Sequence, residues 1–339
     1  MALLLPGQGA QYPRMAAGLY TCEPVFTAAM DEVFHAFGPA GPGLRGRWLD
    51  GAGPLDDAAL AQPLLFAVDY ALGRLVSSWG AGPAALLGHS VGEMAAAALA
   101  GVFSVRDAAL LVLDRVSRVG AAPPGGMLAV AASVAQVEPY LGRDVVVGAV
   151  NAPRHVVLAG PRGPLGEVAD RLAAAGLNSL PVPSDTAFHS PVLGPALAGA
   201  GAVVARTVRR PPAVTVYSGS TAAVLRPEEA LDTGFWARQP MEPVLFWAAL
   251  DALLSDGPYL LVEAGPGRGL AGIARRHPAV RRGHSAVCAL LPALPGDDTA
   301  ERTSLRQAAE VLRAEGLPVP RTAVEAALRP GAADSSEGS

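Results

Sequence analysis

Apolar residues in the first hundred positions occur either in short continuous runs or at helical spacing. Continuous runs at residues 3–5 and 83–87 are bounded by glycine or proline, which is typical of buried β-strands. Apolar residues at helical spacing over 64–79 and 91–99 predict two helices. Strands that alternate with helices indicate an α/β layer architecture with a mainly parallel sheet.

The pattern changes between residues 125 and 183. The order of elements becomes strand-helix-strand-strand-helix-strand, which is that of a ferredoxin-like unit. We therefore expect a large α/β-hydrolase-like subdomain (1–124 and 184–330) with a small ferredoxin-like subdomain inserted at 125–183. The small polar segment 331–339 is expected to be disordered. The predicted strands are 127–132, 145–150, 155–159 and 177–182, then 214–217 and 259–263 in the large subdomain, and the predicted helices are 134–141 and 165–175.

Composition excludes several classes of protein. A formal net charge of −4 gives no general attraction to nucleic acid, and two distant cysteines exclude a disulfide framework or a zinc site. All 26 basic residues are arginine, so no lysine can act as a base or form a Schiff base. The first residues lack a basic segment and reach Pro6 early, and the alanine-rich stretch after Ser90 contains Glu93, so neither a signal peptide nor a membrane span is expected. We expect a cytoplasmic monomer without metal, nucleic-acid or membrane partner.

Ser90 is the first candidate for chemistry. The pentapeptide GHSVG at 88–92 follows a predicted strand and opens a predicted helix, which is the context of a nucleophile elbow. Free N–H groups at the helix N-terminus favour a developing oxyanion. The alternative is a glycine-flanked serine that caps a helix. The pentapeptide alone does not separate a hydrolase, which would add a late histidine such as His277 or His284, from a transferase.

Five motifs in order extend the interpretation to the whole chain. They are PGQGAQ at 6–11, GHSVG at 88–92, Arg115 at 25 positions after the serine, AFHSP at 187–191 and VEAGPG at 262–267. From about residue 3 to about 318 the chain resembles the malonyl-CoA:acyl-carrier-protein transacylase family, and most closely the acyltransferase domains of modular polyketide synthases. Residues 305–318 resemble the linker that follows such domains. The linker that normally precedes them is missing, which suggests a free-standing, trans-acting enzyme.

The resemblance implies a catalytic Ser-His dyad. Ser90 would be the nucleophile and His189 its general base, then the acid for the leaving thiolate. The backbone N–H groups of Gln8 and Val91 would form the oxyanion hole. Gln239 matches the position whose amide side chain can orient the histidine, and a buried glutamine that only satisfies its neighbours is the alternative.

Residues near the dyad point to a malonyl-type acyl group. Arg115 matches the family arginine that holds the substrate carboxylate in a bidentate pair. Its alternative is an exposed helix arginine paired with Asp114 or Asp107. Phe188, in the TAFH segment, would crowd an α-methyl branch, and Asn151 lies at a turn that the family places near the cleft.

Other positions near these motifs carry weaker expectations. Val116 follows Arg115 where the family usually has glycine. His89 is expected to be structural and His155 to lie on the surface of the small subdomain.

The partners follow from the same resemblance. The acceptor would be an acyl carrier protein and the donor an acyl-CoA or an acyl carrier, so coenzyme A or phosphopantetheine comes with the substrates and no cofactor is bound. Carrier proteins are generally acidic, which predicts a basic docking patch; a solvated charged surface is the alternative. Candidates for it are Arg275, Arg276, Arg281 and Arg282.

The leading hypothesis is malonyl transfer from coenzyme A to a carrier protein in polyketide, and so antibiotic, biosynthesis. Carrier-to-carrier transfer of a larger acyl group and thioester hydrolysis are the alternatives.

Overall fold

The computed structural model describes residues 1–80 and 82–320, so the predicted tail at 331–339 lies outside the described residues. Ten strands in this part form two sheets. They are β1 (Ala2–Leu5), β2 (Ala85–Gly88), β3 (Gly125–Val130), β4 (Val146–Ala152), β5 (His155–Pro161), β6 (Ser179–Val182), β7 (Thr215–Ser218), β8 (Ala223–Val224), β9 (Leu260–Glu263) and β10 (Ala286–Ala289).

Fifteen α-helices in the same part surround these sheets. They are α1 (Ala17–Tyr20), α2 (Pro24–Ala36), α3 (Gly41–Asp50), α4 (Ala58–Ser78), α5 (Val91–Leu99), α6 (Val105–Val119), α7 (Val134–Val137), α8 (Arg162–Ala174), α9 (Ala200–Val204), α10 (Pro227–Leu231), α11 (Thr233–Arg238), α12 (Phe246–Ser255), α13 (Gly269–Ala274), α14 (Pro278–Arg281) and α15 (Asp298–Ala314).

The larger sheet has six strands in the order β10-β9-β1-β2-β7-β8, and only β8 is antiparallel to its neighbour. Every residue of β1 and β2 is buried, because helices cover both faces of a parallel sheet. In the register of this pair Leu5 lies opposite Gly88. The loop after β1 and the turn after β2 therefore leave the sheet side by side, at the edge where α/β proteins bind ligands.

The second sheet is antiparallel, with strand order β4-β5-β3-β6. Helix α8 packs against it through the buried side chains of Leu165, Val168 and Leu172. Together the two sheets confirm the predicted fold class, an α/β fold with a parallel sheet and an inserted antiparallel one. The helix predicted at 134–141 ends as an α-helix at Val137 and continues as a 3-10 turn that contains Pro139.

Helix α4 forms the centre of the large hydrophobic core. Asp57 caps it by accepting a hydrogen bond from the N–H of Ala59, and Pro63 lies in its second turn, so the helix begins six residues before the predicted start. By length and composition alone α4 could cross a membrane, but 89% of its apolar stretch is buried within the protein. Its apolar character is that of a core helix.

A short segment links the two sheets. Val244 donates its N–H to the carbonyl of Gly148 (2.9 Å) and accepts from the N–H of Val150 (2.8 Å), both in β4. The N–H of the next residue, Leu245, bonds the carbonyl of Gly219 just after β7 (2.7 Å). The chain before α12 is therefore hydrogen-bonded to both sheets.

Candidate active site

Ser90 occupies the turn between β2 and α5, and α5 spans the predicted residues. Its backbone has φ 56° and ψ −116°, a conformation that non-glycine residues rarely adopt. The turn packs against β1: the N–H of His89 bonds the carbonyl of Leu5 (2.8 Å), and a β-carbon at Gly92 would clash with that same carbonyl. The sharp elbow predicted from the pentapeptide is therefore present, with glycine where the backbones meet.

The structure brings His189 to Ser90, with Ser90 Oγ and His189 Nε2 2.7 Å apart. The other ring nitrogen, Nδ1, lies 2.7 Å from the carbonyl oxygen of Glu242. A carbonyl can only accept, so Nδ1 carries the proton and Nε2 is free to accept from the serine hydroxyl. Burial lowers the pKa of His189 to about 3, against the opposing effect of the Glu242 hydrogen bond, so the ring is neutral at physiological pH.

The side chain of Gln239 does not orient His189. Its Nε2 donates to the carbonyl of Ser90 (3.1 Å) and to Oε2 of Glu93 (3.3 Å). After α11 ends, the following segment presents main-chain carbonyls to the histidine, so Glu242 takes the predicted role. Sequence reasoning missed Glu242 because a main-chain carbonyl leaves no signature in the residue type.

Gln8 and Val91 offer backbone N–H groups beside Ser90. Within residues 1–80 and 82–320 neither N–H has a hydrogen-bond acceptor. The side chain of Gln8 is anchored, since Nε2 donates to the carbonyls of Asp56 (3.4 Å) and Pro183 (3.3 Å) and Oε1 accepts from Gln62 (3.3 Å). This leaves two free donors on anchored backbone, which is the composition of an oxyanion hole.

Close approach of backbones brings the Gln8 loop to the elbow. A β-carbon at Gly7 would lie 2.5 Å from the carbonyl oxygen of His89 and 3.0 Å from the β-carbon of Ser90. Only glycine allows this contact. Gln62, which sequence reasoning missed, supports the same loop through its bond to Gln8.

Arg115 is buried on α6, and the pairing considered for an exposed arginine does not occur. Asp114 instead pairs with Arg118 (2.7 Å), and Asp107 bonds Ser104. Arg115 has no hydrogen-bond acceptor in the part of the chain that the structure describes, yet it is close enough to His189 to lower its pKa. Burial lowers the pKa of Arg115 itself to about 10, so the guanidinium remains charged at neutral pH.

Phe188 lies in a small apolar cluster next to the dyad. It packs there with Val116 and Val119 of α6 and with Leu193 and Leu197. Val116, the residue that replaces the usual glycine, therefore belongs to the same apolar wall as Phe188.

Asn151 is buried, and its Oδ1 lies 2.8 Å from Nε2 of His89. Burial lowers the pKa of His89, which favours a neutral ring that donates from Nε2 to this oxygen. His155, at the start of β5 in the small subdomain, is half-buried and lines a cavity between the sheets.

A cavity of about 730 Å³ lies between the two sheets. Gly7, Gln8 and His89 line its inner end, and a β-carbon at Gly7 would lie 3.0 Å from that of Ser90, so the cavity ends beside the serine. Arg276 lines this cavity and is exposed, like Arg275, Arg281 and Arg282. The volume and the open end suit an extended, flexible arm.

The arrangement of a hydrolase with a late histidine finds no support in the geometry. The late histidine His277 bonds Asp251 (3.0 Å), and the partner of Ser90 is His189. Among residues 1–80 and 82–320 there is no group of three or more histidine, cysteine or acidic side chains placed to hold a metal ion.

Known proteins of one family are similar to this chain along most of its length. The model of the acyl transferase domain family matches residues 3–317. The chain is 36% identical over 321 residues to a phenolphthiocerol/phthiocerol polyketide synthase of Mycobacterium tuberculosis, and this match covers 94% of the chain but only 21% of the synthase.

Two solved structures share the fold along almost the whole chain. The acyltransferase domain from the second module of the salinomycin polyketide synthase has a TM-score of 0.86 and 35% identity, covering 95% of this chain and 75% of that one. A malonyl-CoA:acyl carrier protein transacylase from Xanthomonas oryzae has a TM-score of 0.79 and 27% identity, covering 91% and 97%.

Proposed function

The chain belongs to the acyl transferase domain family, and from this we propose that it transfers a malonyl-type acyl group from coenzyme A to an acyl carrier protein in polyketide biosynthesis. The acyl group would be carried between the two as an ester on Ser90. The 2.7 Å contact between Ser90 Oγ and His189 Nε2 supports this route, because it places a neutral base on the hydroxyl.

In the first half-reaction Ser90 Oγ attacks the thioester carbonyl while His189 Nε2 takes its proton. The negative charge that develops on the carbonyl oxygen would be held by the N–H groups of Gln8 and Val91. The carbon–sulfur bond then breaks, and His189 returns the proton to the departing thiolate. The products are acyl-Ser90 and free coenzyme A.

In the second half-reaction the thiol of the carrier's phosphopantetheine arm attacks the ester. His189 removes the thiol proton and gives it to Ser90 Oγ as the carbon–oxygen bond breaks. The fixed hydrogen bond from Nδ1 to Glu242 keeps the ring in the required tautomer through both halves.

The environment of Arg115 supports a malonyl-type acyl group. It is a buried guanidinium beside the dyad without an acceptor in the described part of the chain. A buried cation in this state favours an anionic ligand, and a planar guanidinium fits a carboxylate in a bidentate pair. The wall formed by Phe188 and Val116 favours a short, unbranched acyl group.

The acceptor would approach the open end of the cavity. Arg275, Arg276, Arg281 and Arg282 are exposed around α13 and α14, and Arg276 lines the cavity itself. A positive surface there would attract an acidic carrier protein whose arm enters the cavity.

The test is covalent labelling with malonyl-CoA, followed by mass spectrometry of the intact protein. We expect a malonyl ester on the wild type and none on Ser90→Ala. Arg115→Ala should lose about 2–3 kcal/mol of transition-state stabilisation for malonyl-CoA, typical of a lost charge-assisted contact, and keep its rate with acetyl-CoA.

Two outcomes would contradict the proposal. If Ser90→Ala is still labelled by malonyl-CoA, Ser90 is not the residue that carries the acyl group. A wild type that ignores malonyl-CoA, with transfer unchanged in Arg115→Ala, would instead favour carrier-to-carrier transfer of a larger acyl group.

A further inference from the structure

Beside Arg115, Glu93 is a second buried ionisable side chain near Ser90 and His189. The proposed acyl-transfer steps do not use it. It lies in the first turn of α5, three residues after Ser90, and is 1% exposed. Its Oε2 accepts the hydrogen bond from Gln239 at 3.3 Å. Its Oε1 is buried and has no partner within the described residues. One carboxylate oxygen is thus uncompensated.

Glu93 and Arg115 are electrostatically coupled without touching. Arg115 lowers the pKa of Glu93, and Glu93 raises the pKa of Arg115, in each case against the larger effect of burial. They form no direct ion pair within residues 1–80 and 82–320. The guanidinium is neutralised at a distance, and its N–H donors stay free for a ligand.

This arrangement has a consequence for charge when the acyl group arrives. Above about pH 7, before loading, Glu93 is ionised and its buried charge cancels that of Arg115. A malonyl carboxylate paired with Arg115 would leave the site with one surplus negative charge, which is costly in a buried environment. A neutral acyl group such as acetyl brings no such surplus.

We propose that Glu93 sets the charge selectivity of the site beside Ser90 by taking up a proton when a carboxylate-bearing acyl group binds Arg115. The inference rests on the proposed function, because it assigns the carboxylate to Arg115. Proton uptake by Glu93 keeps the loaded site neutral. The site therefore accepts a carboxylate-bearing acyl group best at a pH where Glu93 can be protonated.

The surroundings of Glu93 suit this role. Burial raises the pKa of Glu93 to about 7, so a proton is within reach near neutral pH. The charged group that acts on Glu93 within the described residues is Arg115 on α6, and His189, which contacts Ser90 three residues earlier in the chain, is neutral. Gln239 donates an uncharged hydrogen bond to Glu93, and Ser218 and Ser220, from the end of β7 and the residues after it, lower its pKa against the effect of burial.

The first test is the pH dependence of selectivity. The ratio of the acylation rate constants kcat/KM for malonyl-CoA and acetyl-CoA cancels any titration of His189. In the wild type this ratio should fall by about tenfold for each pH unit above 7, up to about pH 8.5. In Glu93→Gln, which is isosteric and uncharged, the ratio should no longer depend on pH and should exceed that of the wild type at the upper end of this range.

Glu23→Gln is the matched control. Glu23 is also a buried glutamate with an unpartnered Oε1, and burial raises its pKa to about 7, but it lies at the start of α2 and is absent from the site. This variant should keep the falling ratio of the wild type. A falling ratio in Glu93→Gln as well, or no fall in the wild type, would overturn the inference and leave acyl transfer itself intact.

The second test needs no variant. Forming acyl-Ser90 breaks one O–H and one C–S bond and makes one C–O and one S–H bond, so it consumes no net proton. Calorimetry of the wild type at about pH 7.5 in two buffers of different ionisation enthalpy should therefore detect proton uptake with malonyl-CoA and not with acetyl-CoA. Equal uptake with both donors would overturn the role of Glu93. Absence of any malonyl-Ser90 would overturn the proposed function and this inference together.

Discussion

Ser90 and His189 both have a positive backbone φ, 56° and 60°. One segment, 239–242, holds them there. The side chain of Gln239 bonds the carbonyl of Ser90, the carbonyl of Pro240 accepts the N–H of His189 (2.8 Å), and that of Glu242 accepts from its Nδ1. Strained residues persist only where their surroundings fix them, and this segment fixes both members of the dyad.

Replacing Gln239 tests whether its side chain supports Ser90 and leaves His189 to the main-chain carbonyls. Gln239→Ala removes a bond to Ser90 and one to Glu93 but none to the imidazole. We expect the single-turnover rate of acyl-Ser90 formation to fall, by less than the roughly 10²–10⁴ expected for His189→Ala. The acid limb of the pH–rate profile should stay where it is in the wild type. A shifted limb, or a loss of rate as large as that of His189→Ala, would show that Gln239 acts on the histidine.

The neutral state of His189 predicts a pH profile. Because burial lowers its pKa to about 3, kcat/KM for acetyl-CoA should stay flat from about pH 7 down to about 5, measured by stopped-flow acylation. A limb near the ordinary histidine pKa of about 6.5 would contradict the buried, neutral ring. The same pKa shift affects stability. As pH falls, the unfolded chain takes up a proton on this histidine before the folded chain does. The contribution of His189 to the free energy of unfolding is therefore fully present above the unfolded pKa and is lost as the pH falls toward the folded pKa.

At this scale the sequence predicted reactive side chains and missed the groups that support them. Ser90 and His189 stand in motifs where residue type and spacing are tied to chemistry, and the structure brings them together. Glu242 acts through a main-chain carbonyl, which any residue could supply. Glu93 looks like an ordinary helix residue until α6 and α11 bring Arg115 and Gln239 beside it.

Among the helices, α15 is hydrogen-bonded to the segment that follows the loop of Gln8. Its buried Glu301 accepts hydrogen bonds from the hydroxyl of Tyr12 (3.1 Å) and from the N–H groups of Ala16 (2.6 Å) and Gly18 (2.8 Å). Tyr12 also lines the cavity. The helix therefore helps to fix the chain where the loop of Gln8 ends.

Glu301→Ala should destabilise the protein strongly. It leaves two buried N–H groups and a buried hydroxyl without an acceptor, so we expect a loss of about 3 kcal/mol or more in the free energy of unfolding, measured in urea. Arg306→Ala on the same helix breaks only a partly exposed pair with Glu310 and should cost about 0.5 kcal/mol. Equal effects of the two changes would mean that the Glu301 contacts do not hold the loop.

Helices and strands were predicted correctly where the spacing of apolar residues and the glycines at the ends of the segment indicated the same bounds. Helix α5 has the predicted bounds, because glycine and apolar spacing mark both of its ends. Residues 305–318, interpreted as a linker, belong largely to α15, which begins at Asp298 with a cap from Asp297 and packs on the core. Sequence spacing gave no sign of that contact, because its partners Tyr12 and Gly18 lie almost 300 positions earlier.

At the scale of the molecule, the dyad and the cavity depend on how the two sheets are joined. The segment that fixes Ser90 and His189 continues into Val244, which bonds β4 of the second sheet. The cavity lies between the sheets, with Ala129 and Asn151 on one side and Leu270 and Arg276 on the other. The α/β layers could be predicted from element order, but not this junction, since strand pairing across long connections has no local signature.

Arginines on one side of this cavity lead to a prediction about the carrier protein. Arg275→Glu combined with Arg276→Glu reverses two exposed charges at the cavity, one of them in its lining. We expect the KM for an acidic carrier protein to rise at least about tenfold at low salt, because charge complementarity at a docking rim acts mainly on association. The rate of acylation by malonyl-CoA at saturation should change little, since neither side chain touches Ser90 or His189.

Arg206→Glu combined with Arg210→Glu is the matched control, because these arginines are also exposed but do not line the cavity. The control should bind the carrier like the wild type. Salt provides an independent check: about 0.5 M NaCl should raise the KM of the wild type for the carrier and leave that of the Arg275/Arg276 variant nearly unchanged, since screening acts only on charges that take part. If both double variants weaken carrier binding equally, net charge alone would explain the effect. Docking would then have to be sought on another side of the cavity, where Leu180 and Leu294 are exposed next to the lining residues Pro181 and Pro295.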